Sequence, residues 1–415
     1  MNKFLMGGLI VLSFISIKAT AQNSINSPYS YYGIGEFSAT DNSHNAGMGG
    51  LGIGVKSKGF INYSNPASYS SIDSLNFIFD FAFGGTISQF KSSSKGYNTA
   101  NGNFKKIAIG FRVNPQWALS LGIVPYTNVG YKVNTNKWVE GLSESFNIVS
   151  EGNGGLSKIF MGNSFKLSDL VSLGVNTNLL IGYIEKSETY TYIEESTNYW
   201  VKRQKYRPKT AISFDFGLQL NDSINSKWQY TLGFIGGLNT KLKMKEYIVY
   251  ESGESNYDEE EYLSNYDFWL PAFAGVGLSL NSSKWTLGLD YKVQYWNSVG
   301  LKNEMNWQNN SHHLAFGTQY TPKGVLGKSI FQRMSYQIGA HFDRSYLRVN
   351  SQNFDIYGIT AGVLIPIRNQ MSSIGISVDA GKKGRISNGM FKENYIQLNL
   401  SINLSDIWFQ TRRFN

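Results

Sequence analysis

Four histidines, His44, His312, His313 and His341, are the residues of this 415-residue chain best suited to hold a metal or move a proton. They are few and scattered. His312-His313 opens a predicted strand, where neighbouring side chains point to opposite faces and cannot share one ion. No metal site is expected. Gly47-x-Gly49-x-x-Gly52 formally matches a dinucleotide fingerprint, but that chemistry needs a strand before it and a helix after it, and neither is predicted. Ser164 in Gly162-Asn163-Ser164 lacks the second glycine of a nucleophile elbow. No catalytic residues and no cofactor are therefore expected, and the chain does not read as an enzyme. The acidic stretch 251–266, with Glu251, Glu254, Asp258, Glu259, Glu260 and Glu261, reads as a solvated loop, with divalent-ion binding as the sharper alternative.

Six charges are more informative: Asp80, Arg112, Asp215, Asp290, Lys292 and Asp379 each fall opposite an apolar stripe with a period of two. Ile396, Leu398, Leu400, Ile402 and Leu404 alternate with Gln397, Asn399, Ser401, Asn403 and Ser405, and Trp408 and Phe409 follow as an interfacial pair. The same rhythm recurs at 75–84, 107–113, 171–182, 212–220 and 285–295. Ten such residues rise about 33 Å, enough to cross a thin membrane when tilted. A helix would scatter the apolar residues around its circumference. An Arg or Lys exposed to lipid at the midplane costs about 2–4 kcal/mol, so these charges belong in an enclosed lumen. Asp80 and Arg112, on adjacent strands, are expected to pair there.

Connection lengths set the topology. Short turns at Asn114-Pro115, Ser168-Asp169, 221–226, 281–283, 321–333 (the long exception) and 366–372 alternate with longer polar loops near 88–103, 134–150, 196–200, 251–266, 298–310, 344–353 and 384–393. Six turns and seven loops join fourteen strands, so the reading is an all-β, transmembrane antiparallel barrel over residues 73–415. Abundant glycine (43) and aromatics (26 Tyr, 26 Phe), scarce proline (8) and a mean hydropathy of −0.26 fit a wall with one face in lipid and one in water. Lys3, the apolar run Phe4 to Ile17 and Ala19-Thr20-Ala21 predict a cleaved signal peptide over residues 1–21, and hence export to a bacterial outer membrane. The chain has no cysteine, which excludes disulfides, thiolate metal sites and a lipoprotein anchor. Its basic charge is spread thinly and gives no reason to expect nucleic acid. Residues 22–72, rich in Gly, Ser, Asn and Tyr but carrying Ile34, Met48, Leu51 and Ile53, are too apolar for a disordered tail, and are expected to fold inside the barrel as a plug. No strand is predicted within them.

Several short motifs resemble the FadL/TodX family of hydrophobic-compound transporters. They are Ala46-Gly47-Met48-Gly49-Gly50, then Asn65-Pro66-Ala67 before the first strand, Gly154-Gly155-Leu156 before the fourth, and Leu270-Pro271 opening a strand ahead of Trp285 to Trp296. The resemblance spans most of residues 46–405. It implies a hatch motif at Gly47, Gly49, Gly50, Asn65, Pro66 and Ala67. It also implies binding of a hydrophobic small molecule, typically a long-chain fatty acid, and its lateral exit into the membrane at a kinked third strand. Pro125 and Tyr126 lie on that strand, and a proline donates no ladder hydrogen bond. The partners so implied are that ligand, the lipid bilayer and lipopolysaccharide. The family also includes barrels outside transport, such as a shuttle component of type IX secretion, so a structural or secretion-associated barrel with protein partners is the alternative.

Overall fold

The computed structural model describes residues 27–38, 43–56, 58–93, 96–138, 145–192, 199–252, 261–299, 309–349, 352–367, 371–386 and 390–408. The expected leader at 1–21, most of the acidic stretch (253–260) and Phe409 lie outside these residues.

A two-residue strand, β1 (Glu36–Phe37), precedes the barrel. The wall then follows in chain order: β2 (Asn76–Lys91), β3 (Gly96–Asn114), β4 (Trp117–Trp138), β5 (Ser145–Lys166), β6 (Val171–Tyr192), β7 (Tyr199–Thr210), β8 (Ile212–Ser223), β9 (Gln229–Gly237), β10 (Thr240–Ser252), β11 (Glu261–Leu270), β12 (Phe273–Asn281), β13 (Trp285–Gln294), β14 (Ser311–Tyr320), β15 (Ser335–Val349), β16 (Gln352–Pro366), β17 (Ser373–Lys383) and β18 (Lys392–Ile407). Three pairs are single staves broken in the middle. β7 and β8 both pair with β6 and part at Ala211; β9 and β10 part at Leu238-Asn239, and β11 and β12 at Pro271-Ala272. The staves number fourteen. β18 pairs with β2 from Lys392↔Lys91 to Ile407↔Asn76, which closes the antiparallel sheet into a barrel.

Alternation sorts the faces as the sequence pattern requires. On β18, Ile396, Leu398 and Leu404 are exposed on the outside, while Asn399, Ser401 and Asn403 are buried inside. Phe214 and Phe216 of β8 and Leu173 and Leu179 of β6 likewise point outward. This apolar band is what a bilayer demands of a closed sheet. The short turns fall where expected. Towards the loop end, however, the strands outrun the prediction: β2 reaches Lys91 and β3 starts at Gly96, so most of 88–103 is ladder rather than loop. Residues 88–103 are mostly polar on both faces, and a ladder of such residues carries no hydropathy signal. Gly154-Gly155-Leu156 likewise sits within β5 instead of before it.

One seam of the wall is only half closed. The β3–β4 ladder runs from Asn114↔Trp117 to Ile107↔Ile123 and ends there among the described residues. Just beyond it come Pro125, which has no N–H, and Tyr126, an extra residue that the β4–β5 register skips between Pro125↔Ser157 and Thr127↔Leu156. The distortion spreads sideways at the same level. Gly155 (φ +149°) of β5 and Gly182 (φ +125°) of β6 adopt backbone conformations that disfavour any side chain, and a Cβ on Gly155 would strike the Thr127 carbonyl. In place of β3, the short strand β1 pairs with β4 at Glu36↔Asn128 and Phe37↔Thr127, and the Ser38 N–H donates to the Tyr126 carbonyl (2.9 Å).

Candidate functional site

The described residues before β2 lie against the inner face of the wall, and inward side chains hold their backbone. Asp290 of β13 accepts hydrogen bonds from three successive N–H groups, Gly52 (2.6 Å), Ile53 (2.8 Å) and Gly54 (3.3 Å). Thr360 of β16 accepts from Gly49 N–H (2.8 Å) and donates to the Gly47 carbonyl (3.0 Å). Asn65 caps the 3-10 turn Pro66–Ser71 by accepting from Ala67 N–H (3.1 Å), and its amide donates to the Ile53 carbonyl (2.8 Å). Arg112 donates to the Ser70 carbonyl (2.8 Å). Hydrogen bonds to charged groups contribute about 1.5–3 kcal/mol each, so a few of them fix a segment that has little regular structure. Close approach matters as well: a Cβ on Gly233 of β9 would collide with the Ile53 carbonyl, so only glycine lets the two backbones meet.

The expected Asp80–Arg112 pair does not form. Asp80 binds Lys106 (2.8 Å) and accepts from Ile61 N–H (3.1 Å), and Lys106 also donates to the Ile61 carbonyl (2.9 Å). Register explains the choice. Asp80 faces Ala108, so Lys106 is its diagonal neighbour, whereas Arg112 lies four residues away towards the turns and meets Ser70 instead. The alternation that places Arg112 inside also places Lys106 inside, one residue before the predicted strand start at Ile107 and well within β3.

Asp215 of β8 accepts from Asn178 (2.8 Å) and the Tyr63 hydroxyl (3.3 Å), and lies 3.6 Å from the Lys158 ammonium. Burial pushes the Tyr63 and Tyr69 phenols well above the usual tyrosine range, which keeps both as donors, Tyr69 to Asn176 (3.0 Å). Lys292 lies 4.6 Å from the centre of the Phe273 ring. Asp379 accepts from His341 (3.2 Å), whose other nitrogen bonds Asp343, and Asp343 also binds His313. His312 points outward to the Tyr291 hydroxyl (2.8 Å), so the two adjacent histidines do face apart. Glu36 of β1 meets Lys383 (2.8 Å), which also bridges to Glu393 (3.6 Å). Several of these partners lie far apart in the chain, Tyr63 from Asp215 and Glu36 from Lys383 among them, and nothing in the sequence marked them.

Between the N-terminal segment and the wall lies a cavity of about 420 Å³. Its lining includes both banks of the half-closed seam: Asn101, Asn103 and Phe104 on β3, and Val124, Pro125 and Tyr126 on β4. Ile235, Leu270 and Phe273 add apolar surface, while Lys158 and Lys292 bring ammonium groups. The seam itself is bridged by a chain of polar side chains, Asn103 to Asn128 (3.5 Å) and Asn128 to Ser38 (2.9 Å). Towards the loop end the lumen is filled by an apolar cluster. There Trp296 stacks on Tyr346 (4.2 Å between centroids) and Phe37 meets both rings edge-on, with Ile34, Phe268 and Leu347 packed around them.

A closed fourteen-stave barrel with an N-terminal segment against its inner wall and one half-open seam defines a class of membrane-spanning β-barrel. Within that class, the sequence matches the BamG family over residues 1–415, and the chain belongs to that family. No curated protein matches the sequence. Among solved structures, a FadL homologue of Pseudomonas aeruginosa aligns at a TM-score of 0.58 with 14% identity, covering 90% of this chain and 99% of the other. The toluene transporter TodX of Pseudomonas putida aligns at 0.54 with 13% identity (88% and 100% covered). The toluene transporter TbuX of Ralstonia pickettii aligns at 0.53 with 11% identity (86% and 96%). The resemblance read from short motifs thus holds at the level of the fold.

Proposed function

We propose that this protein is an outer-membrane channel for passive uptake of hydrophobic compounds, long-chain fatty acids among them, which leave sideways through the seam between β3 and β4. One observation carries the reading: the wall ladder stops at Ile107↔Ile123 beside Pro125 and Tyr126, and the cavity borders both banks of that stop. A bilayer penalises unpaired backbone. A seam left half open next to a cavity of ligand size therefore points to passage rather than to stability. Residues 22–72 act as the hatch, with Gly47, Gly49, Gly50, Asn65, Pro66 and Ala67 at its anchored turns. Apolar Val124, Leu270 and Phe273 suit a hydrocarbon, and Lys158 and Lys292 suit an acidic head. That TodX and TbuX are toluene transporters supports the same ligand class for a chain of the same fold. The test is uptake of toluene and of a labelled long-chain fatty acid by liposomes with and without the protein. Equal entry of both probes in the two preparations would falsify transport.

A second reading, a structural or secretion-associated barrel that binds protein partners, is favoured by the apolar cluster around Trp296 and Tyr346, which blocks the lumen towards the loop end. Cross-linking followed by purification separates the two. Stoichiometric protein partners together with no uptake would favour this one.

A further inference from the structure

The connection between β14 and β15, residues 321–334, is the longest at the turn end and is unlike the others in composition. It holds Lys323, Lys328 and Arg333 and no acidic residue, and Lys284 sits beside it, its carbonyl accepting from Thr321 N–H (2.8 Å). None of the four cations forms an ion pair among the described residues. Two large apolar side chains stand in solvent next to these charges, Leu326 at 84% and Phe331 at 67% exposure, the latter on a short helix, α1 (Ile330–Arg333). Water alone gives no reason to hold them there. The connection is continuous with the lipid-facing surface: the Tyr336 hydroxyl donates to the Phe331 carbonyl (3.1 Å), and Tyr336, Tyr320 and Trp285 are register neighbours on the outer face. Trp285 and Tyr320 pack at 4.5 Å between centroids, as an aromatic belt at a membrane boundary does.

We infer that residues 321–334 form a foot that inserts Leu326 and Phe331 into the phospholipid leaflet at the turn end and binds anionic headgroups through Lys284, Lys323, Lys328 and Arg333. Apolar wedges ringed by cations and adjoining an aromatic belt are the chemistry of an interfacial anchor on an anionic surface. The inference rests on the barrel spanning a bilayer, and not on what passes through it.

The chain has no native cysteine, so Leu326→Cys gives a single labelling site. The labelled full-length protein is placed in nanodiscs of phosphatidylglycerol or of phosphatidylcholine, and folding is checked by its resistance to unfolding in cold detergent. Brominated acyl chains should quench the label in folded protein. Binding of phosphatidylglycerol over phosphatidylcholine should fall on the order of a hundredfold when Lys323, Lys328 and Arg333 are all changed to Gln, since each cation contributes roughly fivefold. A folded barrel whose label is not quenched overturns the inference, as does a headgroup preference that survives the triple substitution. So does a label shielded by a co-purified protein instead of lipid. A chain that never folds into nanodiscs would strike at the barrel reading itself.

Discussion

The Asp290 carboxylate accepts the Ile53 N–H at 2.8 Å, although 237 positions separate the two residues in sequence. The same carboxylate takes Gly52 and Gly54, so one inward side chain of β13 fixes a whole turn of the N-terminal segment. Asp290→Ala would strip three buried N–H groups of their acceptor, at a cost of about 3 kcal/mol or more. Limited proteolysis should then cut within residues 43–56, while the barrel remains resistant. Asp290→Asn, which keeps one acceptor oxygen, should lie between. Unchanged protection in the Ala variant would count against this anchor.

The Asp80–Lys106 pair gives a second test. Both side chains are fully buried, so removing one partner strands the other charge. Lys106→Met should cost about 3–5 kcal/mol, and the double variant with Asp80→Asn should recover most of that loss. Equilibrium unfolding of the four proteins of the cycle measures it. Additive losses would mean that the two residues act independently.

Gating at the seam can be tested by covalent closure. Asn103 and Asn128 meet across it at 3.5 Å. Replacing both with Cys and joining them by a short thiol-reactive linker should lower uptake towards that of protein-free liposomes, and a cleavable linker should restore it on reduction. Pro125→Val, which returns an N–H to the ladder, should slow uptake in the same direction without preventing assembly. Uptake that ignores the linker would place the exit elsewhere.

His44 predicts a pH dependence. It stacks on Phe60 and donates to Asn403 (3.0 Å), and burial pushes its imidazole down to about 4, with the Lys106 charge acting in the same direction. An unfolded histidine takes its proton near 6.5, so between about pH 6.5 and 4 the unfolded chain binds the proton that the folded chain refuses. The contribution of neutral His44 is therefore whole above pH 6.5 and is lost as pH falls to about 4. Protection of residues 43–56 should drop across that window, and His44→Gln should flatten the drop.

The sequence by itself determined the barrel. A two-residue rhythm puts side chains such as Ile396 and Leu398 in lipid and Asn399 and Ser401 inside, and short turns alternating with long loops fix fourteen staves, because both signals are local and the lipid boundary enforces them. It also placed Asp80, Arg112, Asp215, Asp290, Lys292 and Asp379 on the inner face by parity alone. Which atoms those charges meet was decided only by the tertiary structure. Asp80 chose Lys106 over Arg112 because the β2–β3 register makes Lys106 the diagonal neighbour, and register is a property of two strands together. Likewise, Pro125 announced an interrupted ladder, but β1 filling part of that interruption depends on a segment with no periodicity of its own, whose few backbone bonds to β4 form only inside a closed wall.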